Sequence, residues 1–141
     1  MMDIKQCVAK GLLRRDVPDN EKAAKSIERA WHKIEVAKKV LKIVPEEAVA
    51  NAYASMFHAA RSLLFRDGYV EKSHFALFVY VKEQYADRLE LRFLNELNTL
   101  RLDRHAINYG LDPIRIDYGE AKNVIETAED FIKAVEGVLK K

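Results

Sequence analysis

The chain has 141 residues, the length of one domain with a single core. Hydrophobic residues make up 49% and charged residues 33%, the balance of an ordinary globular protein, and five Gly and three Pro are too few punctuators for a many-stranded β fold. The formal net charge of +2 selects no partner class, because a nucleic-acid binder need only gather its Lys and Arg on one face.

A short first helix is expected over residues 3–15. The second is expected over residues 19–43, where Ile27, Ala30, Trp31, Ile34, Ala37, Leu41 and Val44 recur at steps of three and four and so share one face. The third starts after Pro45, with Glu46 and Glu47 favourable at its positive end, and runs to about Arg66; Gly68 follows as a stop signal. The fourth opens on Ser73 as N-cap. Its run Phe75-Ala-Leu-Phe-Val-Tyr-Val81 would also suit a buried strand, but Lys82 to Arg88 carry it past strand length, so a helix is expected. The fifth spans residues 89–109 and the sixth residues 117–138, with Ala121, Val124, Ile125, Ala128, Phe131, Ile132, Val135 and Leu139 on one side. Long helices with short links predict an all-α, antiparallel up-and-down bundle of four to six helices, in one domain over residues 1–141.

The lone cysteine, Cys7, has no partner for a disulfide, and no CxxC pattern is present to hold zinc. It reads as a buried, inert thiol. The longest apolar run, Phe75 to Val81, is too short to cross a bilayer, and no apolar signal region opens the chain, so a cytoplasmic protein is expected. Glu71-Lys-Ser-His74 has the Glu-x-x-His spacing of di-iron bundles, but such sites need two of these motifs and two more inward carboxylates. Neither a metal nor another cofactor is expected.

Two helices carry polar signals. Ala48 to Ala60 holds no charged residue in a chain that is one-third charged. Val49, Ala52, Tyr53, Met56, Ala60 and Leu63 form its core face, and Asn51, Ser55, His58 and Ser62 stack in a stripe on the other side. An ordinary solvent face would be rich in Lys and Glu. Either a partner subunit or ligand covers the stripe, or another helix of the same chain does. In the fifth helix Phe93, Leu97 and Leu100 form an apolar stripe with Arg104 in line, and Arg101, His105 and Asn108 share the adjoining face. Arg, His and Asn together hold a phosphate and move a proton near neutral pH; the alternative is a bundle-end cluster that caps carbonyls or pairs with carboxylates. No Asp or Glu stands one turn from Arg104: position 100 is Leu, 107 is Ile and 108 is Asn.

Asn51-Ala-Tyr-Ala-Ser-Met-Phe-His-Ala-Ala-Arg-Ser-Leu-Leu64 resembles the tyrosine-rich helix "RAYYAMFHAARALL" of a compact prokaryotic branch of the HEPN domain family. Lys72-Ser-His74 resembles the "SH" that opens the next helix there, and Arg104-His-Ala-Ile-Asn-Tyr109 resembles that branch's Arg-x-x-Ala-Asp-Tyr ending, with Asn108 in place of Asp. The resemblance covers residues 51–109. It implies a two-fold homodimer and, in many members, a toxin or RNase encoded beside a small nucleotidyltransferase partner. It also implies a metal-independent RNase motif: Arg, a polar residue, and a His four to six positions after the Arg. By that resemblance Arg104 is the motif Arg and His105 the polar residue. The motif His is missing or displaced. Beyond Arg104 the span reaches Tyr109, Gly110 and Leu111, and from Arg101 the spacing to His105 is one short. His58 and His74 are the histidines left to replace it in space.

The resulting expectation is a nucleotide- or RNA-binding protein, or a nucleotidyltransferase partner, acting as a homodimer. Arg104 and His105 are its candidate catalytic residues, and Asn51, Ser55, His58, Arg101, Asn108 and Tyr109 its candidate binding residues. A metal-independent endoribonuclease and a structural adaptor are the alternatives.

Overall fold

The computed structural model describes residues 2–141. Its elements in chain order are α1 (Ile4–Ala9), β1 (Leu13–Arg15), α2 (Asn20–Val40), α3 (Pro45–Asp67), β2 (Tyr69–Glu71), α4 (His74–Tyr85), α5 (Leu91–Tyr109) and α6 (Tyr118–Leu139). This is the expected all-α bundle, with one small sheet added.

The helices start where the sequence provides caps. Asp19, Ser73 and Asp117 each accept from the backbone N–H three residues on, which satisfies one of the four orphan donors of a helix start. Asp3 and Gln6 form a reciprocal capping box on α1. Pro45 opens α3, where its missing N–H costs nothing. The segment that suited either a strand or a helix is helical, in α4.

The first expected helix is cut short. Gly11 adopts a left-handed φ of 73° after α1, and residues 13–15 turn into β1 instead. They pair antiparallel with β2, Leu13 opposite Glu71 and Arg15 opposite Tyr69. Leu13, the first residue of the strand, is buried in the core, while Arg14 and Arg15 are exposed.

The third helix is the centre of the bundle. It packs most extensively on α2 and also touches α4, α5, α6 and β2. Its core face Val49, Ala52, Tyr53, Met56, Ala60 and Leu63 is buried as the periodicity predicts. Enclosure by its own chain also explains its missing charges. Ser55 and Ser62 have 0% exposure, and their hydroxyls donate to the carbonyls of Ala52 and Ala59 one turn back. The middle of the neutral stripe is therefore covered by the same chain, and Ser55 offers no surface to a ligand or a second subunit. Small hydroxyls that satisfy themselves locally let neighbouring helices approach closely.

Two polar clamps fix the outer helices. Lys38 pairs with Glu129 at 2.7 Å and the Trp31 indole donates to Glu136 at 3.3 Å, joining α2 to α6. At the far end of α3, the hydroxyls of Tyr80 and Tyr85 donate to Asp67, and Arg66 donates to the Val138 carbonyl. Burial and the Asp67 carboxylate raise both tyrosine pKa values, Tyr85 to about 12, so both phenols remain donors. The Cys7 thiol is buried. No helix among the described residues is long and apolar enough to cross a membrane.

Candidate functional site

Beside the neutral stripe, four helices converge on a cleft of about 270 Å³ lined by Arg29 and Lys33 of α2, Tyr53, Phe57 and His58 of α3, His74 of α4 and Arg104 of α5. At its base Tyr53 Oη and His74 Nδ1 lie 2.7 Å apart in a hydrogen bond. The Phe57 ring stacks on the imidazole, with centroids 4.2 Å apart and planes at 23°. The start of α4 thus holds His74 against α3 at two points, and Ser73, as the N-cap, fixes where that helix begins.

The electrostatics are one-sided. Burial first, then the charges of Arg104, Arg101 and Arg61, lower the His74 pKa from 6.5. Burial, with Arg61, Arg29 and Lys33, lowers that of His58 to about 4. Both imidazoles are neutral at pH 7. Burial raises the Tyr53 phenol to about 12 against the pull of Arg104 and Arg101, so it keeps its proton. Arg104 itself is half-buried and has neither an ion pair nor a hydrogen bond among the described residues. A half-buried guanidinium without a carboxylate partner keeps its N–H donors free for an anion.

The remaining sequence candidates scatter. Arg101 folds back onto Asn98 Oδ1, at 2.9 Å, and over the Phe75 ring, but its charge still reaches Tyr53 and His74. Asn51 is tied by its Nδ2 to the Glu47 carbonyl on the rim of α3. His105 is exposed, its ring against that of Tyr109, and neither lines the cleft that Arg104 lines. Consecutive residues on a helix point about 100° apart, so Arg104 and His105 do not face one another. Asn108 is exposed on the same terminal turns.

The residues that do gather around Arg104 include several that the sequence reading gave other roles. Tyr53 sits in the apolar period of α3 and reads as core, and His74 enters the sequence reading as half of a Glu-x-x-His spacing and as one of two histidines left to replace the motif His. Arg29 and Lys33 carry no signal until α2 is wound up beside α3. Glu71, the other half of the Glu-x-x-His spacing, is paired with Arg61. Among the described residues no three His, Cys, Asp or Glu side chains group closely enough to hold a metal ion.

Comparison with curated proteins returned no match. The family model of the HEPN domain matches residues 23–138, which runs from the first turn of α2 to the end of α6 and takes in every residue of the cleft. The chain belongs to the HEPN domain family.

Proposed function

We propose that this protein binds the phosphate of a nucleotide or RNA in the Tyr53–His74–Arg104 cleft and works as a homodimer, with a small nucleotidyltransferase as a partner. The observation that carries the reading is the unpaired Arg104 guanidinium beside two neutral imidazoles and two further cations, Arg29 and Lys33. Such a set has positive charge and N–H donors but no carboxylate of its own to satisfy them.

The Tyr53–His74 pair favours holding over cutting. We take the phenol, which keeps its proton, as the donor to Nδ1, which leaves the ring proton on Nε2. In that tautomer His74 offers a donor to a phosphate oxygen. The opposite tautomer would free Nε2 as a base, the arrangement a metal-independent RNase needs to activate a ribose 2′-hydroxyl, with Arg104 stabilising the phosphorane charge. The proximity of His74 to Arg104, where His105 is not, keeps that second reading in play.

The experiment is a titration of the protein with labelled RNA and with a nucleoside monophosphate, in wild type and Arg104→Ala. Binding that falls about tenfold or more fits the loss of one charge-assisted hydrogen bond, worth about 1.5–3 kcal/mol. Unchanged binding overturns the reading. Cleavage of the same RNA in excess chelator, abolished by His74→Gln, would convert the binding protein into an enzyme. Co-expression with a small nucleotidyltransferase, followed by a test for co-purification, checks the partnership.

A further inference from the structure

We propose that the α5–α6 connection and the start of α3 form a docking groove for a cationic amphipathic helix of another protein. The groove shares no residue with the Arg104 cleft, and the inference does not rest on the anion-binding reading.

Residues 110–117 join α5 to α6 without regular structure. Connections of that kind are ordinarily built from Gly, Pro, Asn, Asp and Ser. This one also carries Leu111, Ile114 and Ile116. Ile116 packs against the core and anchors the connection, whereas Leu111 is fully exposed and Ile114 is uncovered as well. Two hollows meet beneath them and share Glu46, Pro113 and Ile114. One, of about 340 Å³, reaches Ile107 and Leu111; the other, of about 570 Å³, continues past Ile116 to Glu120. Apolar side chains left open inside a polar rim mark a surface that a partner covers.

The rim selects the partner's charge. Glu46, Glu47, Asp112, Asp117 and Glu120 border the two hollows against one base, Arg115. None of the five carboxylates is in an ion pair among the described residues. Glu46, Glu47 and Glu120 lie in first helical turns, where the dipole favours them, and Asp117 caps α6. Asp112 caps no helix among the described residues, and no local role supplies the countercharge that the set lacks. Such a rim repels the phosphates of nucleic acids and anionic lipids and attracts Lys and Arg.

An amphipathic helix with aliphatic side chains one turn apart, flanked by Lys or Arg, meets both features. Its apolar row enters the hollows while its cations reach the rim. The chain's own cationic helix does not qualify. The apolar face of α2, with Ile27, Ala30, Ile34 and Ala37, is buried in its own bundle. A contact between α2 of one copy and this end of the next would also be head-to-tail, and so build rings or open chains in place of a two-fold dimer.

The test uses the full-length, isotope-labelled protein and a fluorescent peptide made of Leu and Lys alone in an amphipathic pattern, about 14 residues long so that it forms a helix. The same peptide with Glu in place of every Lys is the control. Anisotropy should show binding of the Lys peptide only, and NMR should place the amide shifts within residues 46–47 and 107–120. Leu111→Ser with Ile114→Ser should weaken binding about tenfold or more. Glu46→Gln with Asp112→Asn should weaken it and flatten its salt dependence. Leu111, Asp112 and Ile114 are exposed and Glu46 lies in the first turn of α3, so both variants keep the fold. Arg104→Ala should bind the peptide as the wild type does. No binding, equal binding of the two peptides, shifts centred on other residues, or unchanged affinity in the Ser variant would overturn the docking groove and leave the cleft reading untouched. A dimer in light scattering that the Ser variant splits would assign this face to a second copy and overturn it as well.

Discussion

Arg104 is the residue on which structure and function part company. A buried Arg that holds a fold together needs a carboxylate, and removing one member of such a pair costs about 3–5 kcal/mol. Arg104 has none among the described residues, and its neighbours Arg101, Arg29 and Lys33 repel it. Arg104→Ala should therefore change stability by no more than about 0.5 kcal/mol in a thermal or denaturant melt. It should also raise the His74 pKa, because Arg104 is the strongest charge holding that imidazole down; an NMR titration of the ring protons reads this directly. A His74 pKa that stays put would mean the two groups are not neighbours in solution. His58 gives the pH dependence. Its folded pKa of about 4 lies below the unfolded value of about 6.5, so the unfolded chain takes up the proton first. Its contribution to stability is complete above about pH 6.5 and is lost as pH falls through about 4. A bound anion beside His58 offsets the repulsion from Arg61, Arg29 and Lys33, so anion affinity should strengthen as pH drops through the same window. His58→Gln should flatten both trends.

At the level of elements, the sequence is legible wherever a period and a cap agree. The cap positions Ser73 and Asp117, and Pro45 at the start of α3, place three helix starts, and the three-four periodicity of α2, α3 and α6 identifies their buried faces. It is illegible where a short segment is decided by a distant one. Residues 13–15 have no strand signature of their own; they extend because β2, more than fifty residues on, supplies partners. Gly68 shows how tightly this joint is made. It ends α3 in the left-handed region at φ 87°, its N–H donates to Phe65, and a Cβ there would stand 2.7 Å from the Asp16 carbonyl and 3.1 Å from the Pro18 ring. The stop signal is visible in sequence, but the close approach of the β1–α2 connection is not. Gly68→Ala should cost at least the left-handed penalty of about 1–2 kcal/mol. Its melting temperature should fall by about 4 °C or more. A variant that melts with the wild type would mean the α3 end relaxes freely, and that the β1–β2 pairing does not depend on it.

Over the whole molecule, the net charge of +2 conceals a separation that matters more than the sum. Cations line the α2–α3 side, whereas the hollow between the start of α3 and the α5–α6 connection is bordered by Glu46, Glu47 and Asp112. The site was half-legible for the same reason: Arg104 stands out within its own helix, but the cleft is assembled from α2, α3, α4 and α5, and one-dimensional spacing cannot express that. The proposed homodimer is the part of the reading most exposed to this gap. Sequence placed its interface on Ser55, which the fold encloses, whereas the uncovered apolar side chains lie elsewhere. Leu102 is 55% exposed, Tyr109 65% and Leu111 100%, and Leu102, His105 and Tyr109 share one uncharged face of the last turns of α5. A two-fold contact is self-complementary, so a neutral apolar stripe meeting its own copy buries surface without setting like charges against each other. Light scattering at micromolar concentration should therefore give about twice the 16.3 kDa chain mass. Leu102→Lys with Tyr109→Lys should return it to one chain with the helical circular dichroism signal intact, since neither side chain is part of the core. Ser55→Lys should behave differently: a charge stranded inside the monomer unfolds it at every concentration, where an interface residue would only split the dimer. A folded, monomeric Ser55→Lys variant would restore the Ser55 face as the interface, and a wild type that stays monomeric would remove the dimer altogether.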